Sequence, residues 1–207
     1  MTPLVLDAGD PTALDAAAAA LTRGDIVGLP TETVYGLAVL PLEASLAALV
    51  AAKDRPPDKG IALLIDGLDQ VADLAELPDA ARRLAAACWP GALTLVLPLR
   101  PGIVLPDMVT GGRATLGVRL PDHPVPRALA RRLGPLAVSS ANRSGEPEAR
   151  TAAELLAAVG SSLAVVIDDG PVRGGVPSTV VAVALDGGLT ILRAGALDLA
   201  TLETAAG

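Results

Sequence analysis

Phenylalanine is absent from this 207-residue chain, which holds a single tyrosine (Tyr35), tryptophan (Trp89), cysteine (Cys88) and histidine (His123). A lone cysteine forms no intrachain disulfide, and with a lone histidine it cannot complete a structural zinc site. Cys88, followed by Trp-Pro-Gly, is therefore expected to be a buried, inert thiol. No run reaches the roughly 20 apolar residues that a membrane helix needs. The alanine run at 16–20 is bracketed by Asp15 and Arg23. The opening MTPLVLDAGDP has no basic stretch leading into an apolar one, so it does not read as a secretory signal, and a cytoplasmic protein is expected. Positive charge is also short: 16 basic against 23 acidic residues give a net −7. No global field draws such a chain onto RNA or DNA, and any anion site must be local.

What the chain does have is aliphatic bulk. Hydrophobic residues make up 51% and charged residues 19%, with mean hydropathy +0.52. That composition excludes a disordered chain and predicts a large core filled by Ala, Leu and Val. The length suits one domain over residues 1–207. Among the basic residues only two are lysines, and both fall in the window Lys53-Asp54-Arg55-Pro56-Pro57-Asp58-Lys59.

Asp10-Pro11 before an Ala/Leu stretch, closed by Gly24, predicts a helix over 11–23. Apolar spacing predicts further helices over 41–53, 67–76, 78–88, 124–133 and 151–159. Strands are expected at 25–29, 61–65, 93–97, 114–120, 136–139, 163–168, 179–184 and 189–193. Interleaved helices and short strands indicate an α/β class, and the last three strands, with no helix between them, are expected to pair antiparallel. The sheet is therefore expected to be mixed. Pro/Gly clusters at 98–112 and 170–177 read as long loops, where function often resides.

Five segments carry the polar chemistry. In Leu29-Pro30-Thr31-Glu32-Thr33-Val34-Tyr35-Gly36-Leu37 a strand runs into a turn with two hydroxyls and a carboxylate: either capping groups or a site for a small polar substrate beyond a strand end. The lysine window reads either as a solvated surface or as a phosphate site, with no P-loop pattern anywhere. Arg119 interrupts the apolar strand Ala114 to Leu120, so it must meet a carboxylate of the protein or of a ligand. His123, at a helix start, is a cap or, alternatively, a base. Val138-Ser139-Ser140-Ala141-Asn142-Arg143-Ser144-Gly145-Glu146-Pro147 offers hydroxyls and backbone N–H groups to a nucleotide, or simply builds a turn. Finally, Asp168-Asp169 precede Pro177-Ser178-Thr179 and Arg193-Ala194-Gly195. The hydroxyls and the guanidinium line one rim if their strands are neighbours, and the acidic pair either binds Mg²⁺ or is merely solvated.

Together, PTETVYGL, KDRPPDKG, GVRLPDHP, SSANRSGEP, PSTVV and ILRAG, in this order from about Asp25 to Leu197, resemble the YrdC/TsaC family, the threonylcarbamoyl-AMP synthases. The resemblance implies a twisted mixed parallel and antiparallel sheet with flanking helices around a concave basic groove, in the short single-domain form. It implies a nucleotidyltransferase that condenses L-threonine, bicarbonate and ATP to threonylcarbamoyl-AMP and pyrophosphate for the threonylcarbamoyladenosine modification of tRNA. Mg²⁺ would accompany ATP, with no tightly bound cofactor and metal ligands unspecified, and the product would pass to a separate transferase complex. By position, the resemblance assigns Thr31, Thr33, Arg119, Ser139 and Ser178 to threonine. It assigns Lys53, Arg55, Lys59, Thr115, Ser140, Asn142 and Arg193 to ATP, with Lys53 and Arg55 catalytic. Lys53, Arg55, Lys59, Arg119 and Arg193 would then line one groove. Many relatives carry His where this chain has Leu64, which removes one threonine contact. The alternatives within the same resemblance are a double-stranded RNA or tRNA-binding module and a carbamoyl-adenylate-handling relative.

Overall fold

The computed structural model describes residues 2–54, 56, 58–143 and 145–206. Ten strands form one mixed sheet: β1 (Leu4–Asp7), β2 (Val27–Leu29), β3 (Gly36–Val39), β4 (Ala62–Leu64), β5 (Leu93–Pro98), β6 (Thr115–Arg119), β7 (Leu136–Ser140), β8 (Val165–Asp168), β9 (Thr179–Val183) and β10 (Leu189–Arg193), in the order β1-β8-β2-β3-β7-β4-β6-β5-β9-β10. Seven helices flank it: α1 (Ala13–Arg23), α2 (Glu43–Lys53), α3 (Asp79–Cys88), α4 (Asp107–Thr110), α5 (Pro124–Leu133), α6 (Ala152–Val159) and α7 (Leu199–Ala206). No helix of the described residues is long and apolar enough to cross a membrane.

The α/β class and the mixed sheet follow the sequence reading, and Gly24 ends α1 in the left-handed region at φ 91°. One expectation fails. β9 and β10 pair antiparallel, but β8 lies near the opposite end of the sheet, parallel to both β1 and β2. The segment between β8 and β9 is long enough to cross the molecule, so absence of a helix did not mean adjacency. The helix expected over 67–76 is a single 3₁₀ turn, Leu68–Val71, because Gly67, Asp69 and Asp73 interrupt the apolar stripe.

Two cores sit on opposite faces of the sheet. On one face Leu37, Val39, Leu63, Leu95, Leu116, Val118 and Val181 pack with Leu46 and Leu49 of α2 and Leu84 of α3. On the other, α1 and α5 cover Val27, Leu29, Ala38, Leu136, Val165 and Ile167 of β2, β3, β7 and β8. This second face continues across β4, β6, β5 and β9, where strand alternation presents Ala62, Thr94, Val96, Thr115, Gly117, Arg119, Val180 and Ala182. The helices packed on β5 and β6, namely α3 and α4, contribute to the first core. The second face of this half of the sheet is therefore left as a floor of small and polar side chains.

Candidate active site

The turn after β2 is built by its own hydroxyls. Thr31 Oγ1 donates to Val34 O at 2.6 Å and accepts the N–H groups of Thr33 and Val34 at 3.2 Å, and it lies 2.9 Å from Thr33 Oγ1. Both threonines are buried. Arg119, at the end of β6, reaches this turn: Nη2 donates to Glu32 Oε1 at 2.6 Å and to Thr33 Oγ1 at 2.9 Å, while Nε donates to Gly91 O at 3.1 Å. The carboxylate that the strand guanidinium required is thus the protein's own Glu32. β6 is four strands from β2 in the sheet, so the long Arg119 side chain and the curl of a twisted sheet together bring the guanidinium to the loop after β2. Leu64 stands in register with Arg119 on the neighbouring strand, so an apolar side chain flanks the guanidinium there.

Arg193 and Ser178 meet at the far side of the floor. Arg193 Nη2 donates to Ser178 O at 2.8 Å and to Ser178 Oγ at 3.2 Å, and Ser178 Oγ lies 2.8 Å from Thr94 Oγ1. Thr179 is buried on the opposite face and bonds Leu197, whereas Ser178 and Arg193 form the expected rim, with Thr94 as a member that sequence reading missed. A threonine inside an apolar strand, facing the same side as Val96 and Arg119, was the available signal. Gly195 is required by close approach, because a Cβ there would lie 2.4 Å from Pro177 O. Burial lowers the Arg193 pKa; nearby Glu148 opposes that shift and Arg119 adds to it through like-charge repulsion.

The lysine window resolves into two roles. Lys53, at the end of α2, is 2% exposed, and its ammonium donates to Ser140 O, to Asn142 O at 2.5 Å and to Asn142 Oδ1 at 3.0 Å. Asn142 Oδ1 also accepts Ser140 Oγ at 2.6 Å, and Asn142 Nδ2 donates to Glu146 O at 2.6 Å. Lys53 is thus turned onto the 140–142 loop rather than standing in a row with the other cations. The physical reason is proximity: the last turn of α2 runs beneath the end of β7, where carbonyl oxygens solvate a compact ammonium. Arg55 lies outside the described residues. Lys59 is exposed, next to Gly60, which packs against the backbone of Val109 and Thr110. Arg113 donates from Nη1 to Asp58 O at 2.9 Å, adding a cation to this corner that the motifs did not reveal.

Ser140 shares its face with Val138, whereas alternation places Ser139 on the face of Ala137, in register with Leu37. Thr115 opens β6 opposite Pro98, four residues from Arg119 along the floor. The two clusters meet through one short segment: Thr33 bonds Arg119, and two residues on, Tyr35 O accepts the Ala141 N–H at 2.8 Å.

A strap from Asp168 to Gly175 closes the turn from outside. Gly174 and Gly175 donate their N–H groups to Glu32 O and Thr33 O at 2.9 and 2.8 Å. Tyr35 Oη contacts Gly170 O at 2.8 Å and Asp168 Oδ1 at 3.1 Å, and accepts the Asp169 N–H at 3.1 Å. Burial, helped by the Asp168 carboxylate and opposed by the N–H that Asp169 donates, pushes the phenol up to about 12. His123 caps α5 by accepting the Val125 N–H on Nδ1, so its proton sits on Nε2, which bonds Asp169 Oδ2 at 3.0 Å. Burial lowers its pKa against the opposing pull of Asp169. The capping reading of His123 holds, and both aspartates are committed to the strap rather than standing as a metal pair. Among the described residues no group of three His, Cys, Asp or Glu side chains could hold a metal ion.

The Sua5/YciO/YrdC family model, described as telomere recombination, matches residues 19–195. The chain is 38% identical over 194 residues to the threonylcarbamoyl-AMP synthase of Bacillus subtilis strain 168, covering 92% of this chain and 56% of that protein. It is 43% identical over 168 residues to the threonylcarbamoyl-AMP synthase of Chromohalobacter salexigens, covering 79% of this chain and 89% of that one. The crystal structure of Pyrococcus abyssi Sua5 complexed with L-threonine superposes with a TM-score of 0.90 at 35% identity, over 99% of this chain and 61% of that chain. Escherichia coli YciO shares the fold, with a TM-score of 0.82 at 20% identity over 97% of this chain and 98% of that chain. The chain thus spans little more than half the length of the Bacillus relative.

Proposed function

The chain belongs to the Sua5/YciO/YrdC family, and on that premise we propose that it is a threonylcarbamoyl-AMP synthase, a nucleotidyltransferase acting on L-threonine, bicarbonate and ATP. The observation that carries the proposal is the Thr31–Gly36 segment. In it Thr33 bonds Arg119, a guanidinium that would receive an amino-acid carboxylate, and Tyr35, two residues on, bonds the loop of hydroxyls and backbone groups suited to a nucleotide. Arg119, Thr33 and Ser178 hold threonine, with Thr31 fixing the turn and Ser139 supporting it from the other face. Ser140, Asn142, Thr115, Lys59 and Arg193 receive ATP along the floor, and Arg55 completes the triphosphate site. Lys53 acts through the loop that it holds.

The threonine amine takes up the bicarbonate carbon to give a carbamate, with water leaving. A carbamate oxygen then attacks the α-phosphorus of ATP and pyrophosphate departs. Chemistry of this kind needs positioning and charge neutralisation more than a protein nucleophile, which suits a site of cations and hydroxyls. Mg²⁺ would accompany the nucleotide phosphates, and no step is assigned to it. The product would pass, in the cytoplasm, to a transferase acting on tRNA. A stand-alone RNA-binding role is not favoured by a net charge of −7.

Mass spectrometry after incubation with the three substrates tests the reading. Threonylcarbamoyl-AMP should appear, and omission of threonine should abolish it. Its absence from the complete mixture would refute the assignment.

A further inference from the structure

Glu32 sits in the middle of the Thr31–Thr33 turn, and the contacts described above use only one of its two carboxylate oxygens. Its side chain is 14% exposed and Oε1 is taken by Arg119. Oε2 is buried, and it is the one buried side-chain nitrogen or oxygen among the described residues that has no hydrogen-bond partner. Folded proteins rarely leave a carboxylate oxygen both dry and unbonded, because the desolvated acceptor gains nothing in return.

Arg119 has the complementary surplus. Its Nε and Nη2 are engaged with Gly91, Glu32 and Thr33, while Nη1 makes no bond to a described residue. A guanidinium carries five N–H donors, so hydrogen-bonding capacity remains on that edge. Two paired side chains thus present an unused cationic donor and an unused anionic acceptor within a few ångströms of each other. That is the complement of a zwitterion, in which a carboxylate and an ammonium are borne by one carbon.

We propose that Glu32 Oε2 is the subsite for the α-ammonium of the amino-acid substrate, with Arg119 holding its carboxylate; this rests on the synthase reading and deepens it. The same contact serves the first chemical step. The α-ammonium must lose a proton before its nitrogen can attack. The N–C bond then forms to bicarbonate, one C–O bond breaks, and that oxygen leaves as water. From ammonium and bicarbonate to carbamate and water, one net proton is released, and Glu32 Oε2 is the group placed to take it and return it to solvent. A glutamate that merely steadied Arg119 would make no such distinction between ligands with and without an amino group.

Calorimetric titration of the full chain with L-threonine and with 3-hydroxybutanoate, which lacks the amino group, separates the two. The wild type should bind threonine at least about tenfold more tightly, as one charge-assisted hydrogen bond implies. Glu32→Gln keeps an oxygen for Arg119 and puts a donor where Oε2 was, so it should weaken threonine about tenfold or more and leave 3-hydroxybutanoate unchanged. Equal loss for both ligands, or a wild type that does not discriminate, would overturn the proposal. If Glu32→Gln fails to fold, the wild-type comparison alone decides. Product formation without discrimination sinks only the Glu32 assignment, whereas absence of both threonine binding and product sinks the synthase reading with it.

Discussion

Replacing Lys53 with methionine tests whether this lysine serves the ligand or the loop. Methionine matches the length of the aliphatic stem, so the change removes an ammonium without opening a cavity. Lys53 is 2% exposed, and its ammonium donates to three oxygens. After its removal Ser140 O still accepts the Asn142 N–H at 3.1 Å, and Asn142 Oδ1 still accepts Ser140 Oγ at 2.6 Å. Asn142 O retains no other bond to a described residue, and an orphaned buried acceptor costs about 1–3 kcal/mol. Loss of the charge-assisted bonds adds to this, and relief from burying an ammonium offsets part of it, leaving a net destabilisation of about 2–4 kcal/mol. For a chain of this size that lowers the melting temperature by roughly 5–15 °C. Urea unfolding followed by circular dichroism gives the free energy, and ATP titration gives the affinity. Lys59→Met, on an exposed side chain, is the control and should stay within about 0.5 kcal/mol of wild type. A Lys53→Met protein as stable as wild type that had lost only ATP affinity would refute the reasoning, because the ammonium would then face ligand and not the loop.

Tyr35→Phe should cost about 1–3 kcal/mol, since the hydroxyl bridges Asp169 N–H and Gly170 O and its removal frees the strap; in the wild type, absorbance titration of the one tyrosine should show ionisation near 12 rather than 10. Burial holds His123 below its ordinary 6.5, so the folded state prefers the neutral ring, and stability that is complete above pH 6.5 is lost as the pH falls toward the folded value. His123→Gln should flatten the stability profile below pH 6.5, and an unchanged slope in urea melts at several pH values would contradict this. Pyrophosphate at about a hundredfold its dissociation constant should stabilise the protein by about 2.7 kcal/mol, roughly 5–10 °C, and more than chloride at equal ionic strength; equal effects of the two salts would argue against a built phosphate site.

Most of the strands were visible as short apolar runs, α1 from its cap and terminal glycine, and α2, α3, α5 and α6 from apolar spacing. The missed elements share a cause. It is context and not length, since β2 and β4 have three residues and were read: β3 is embedded in a motif whose polar turn dominates the reading, and β1 lies in an opening segment weighed only as a signal. α4 has four residues inside a Pro/Gly-rich segment. The sheet order was illegible because it depends on which elements cover which face, as the separation of β8 from β9 makes plain. For the site, strand alternation and the cost of burying a charge identified Arg119 as a residue needing a carboxylate. They could not decide between Glu32 and a ligand, because that choice turns on the twist that carries β6 toward the loop after β2. The motifs likewise named Lys53 without revealing its direction, which is set by α2 packing on β3, next to β7, so that the last side chain of the helix reaches the 140–142 loop.

Why a site exists here at all follows from the sheet. A sheet face buried under helices needs aliphatic side chains, and this chain supplies them on the whole of one face and on half of the other. On the remaining half the same alternation delivers Thr94, Thr115, Gly117 and Arg119, residues too small or too polar to anchor a helix. The floor is therefore kept open by its composition, and the groups around it come from turns that follow different strands: Thr33 after β2, Ser140 and Asn142 at the end of β7, Ser178 before β9. Two guanidiniums, Arg119 and Arg193, are held close enough to repel one another while the chain as a whole carries a net −7. Each guanidinium also has an acidic neighbour, Glu32 beside Arg119 and Glu148 beside Arg193, so an anionic ligand is received through the donors these pairs leave unused and not through an unopposed positive field.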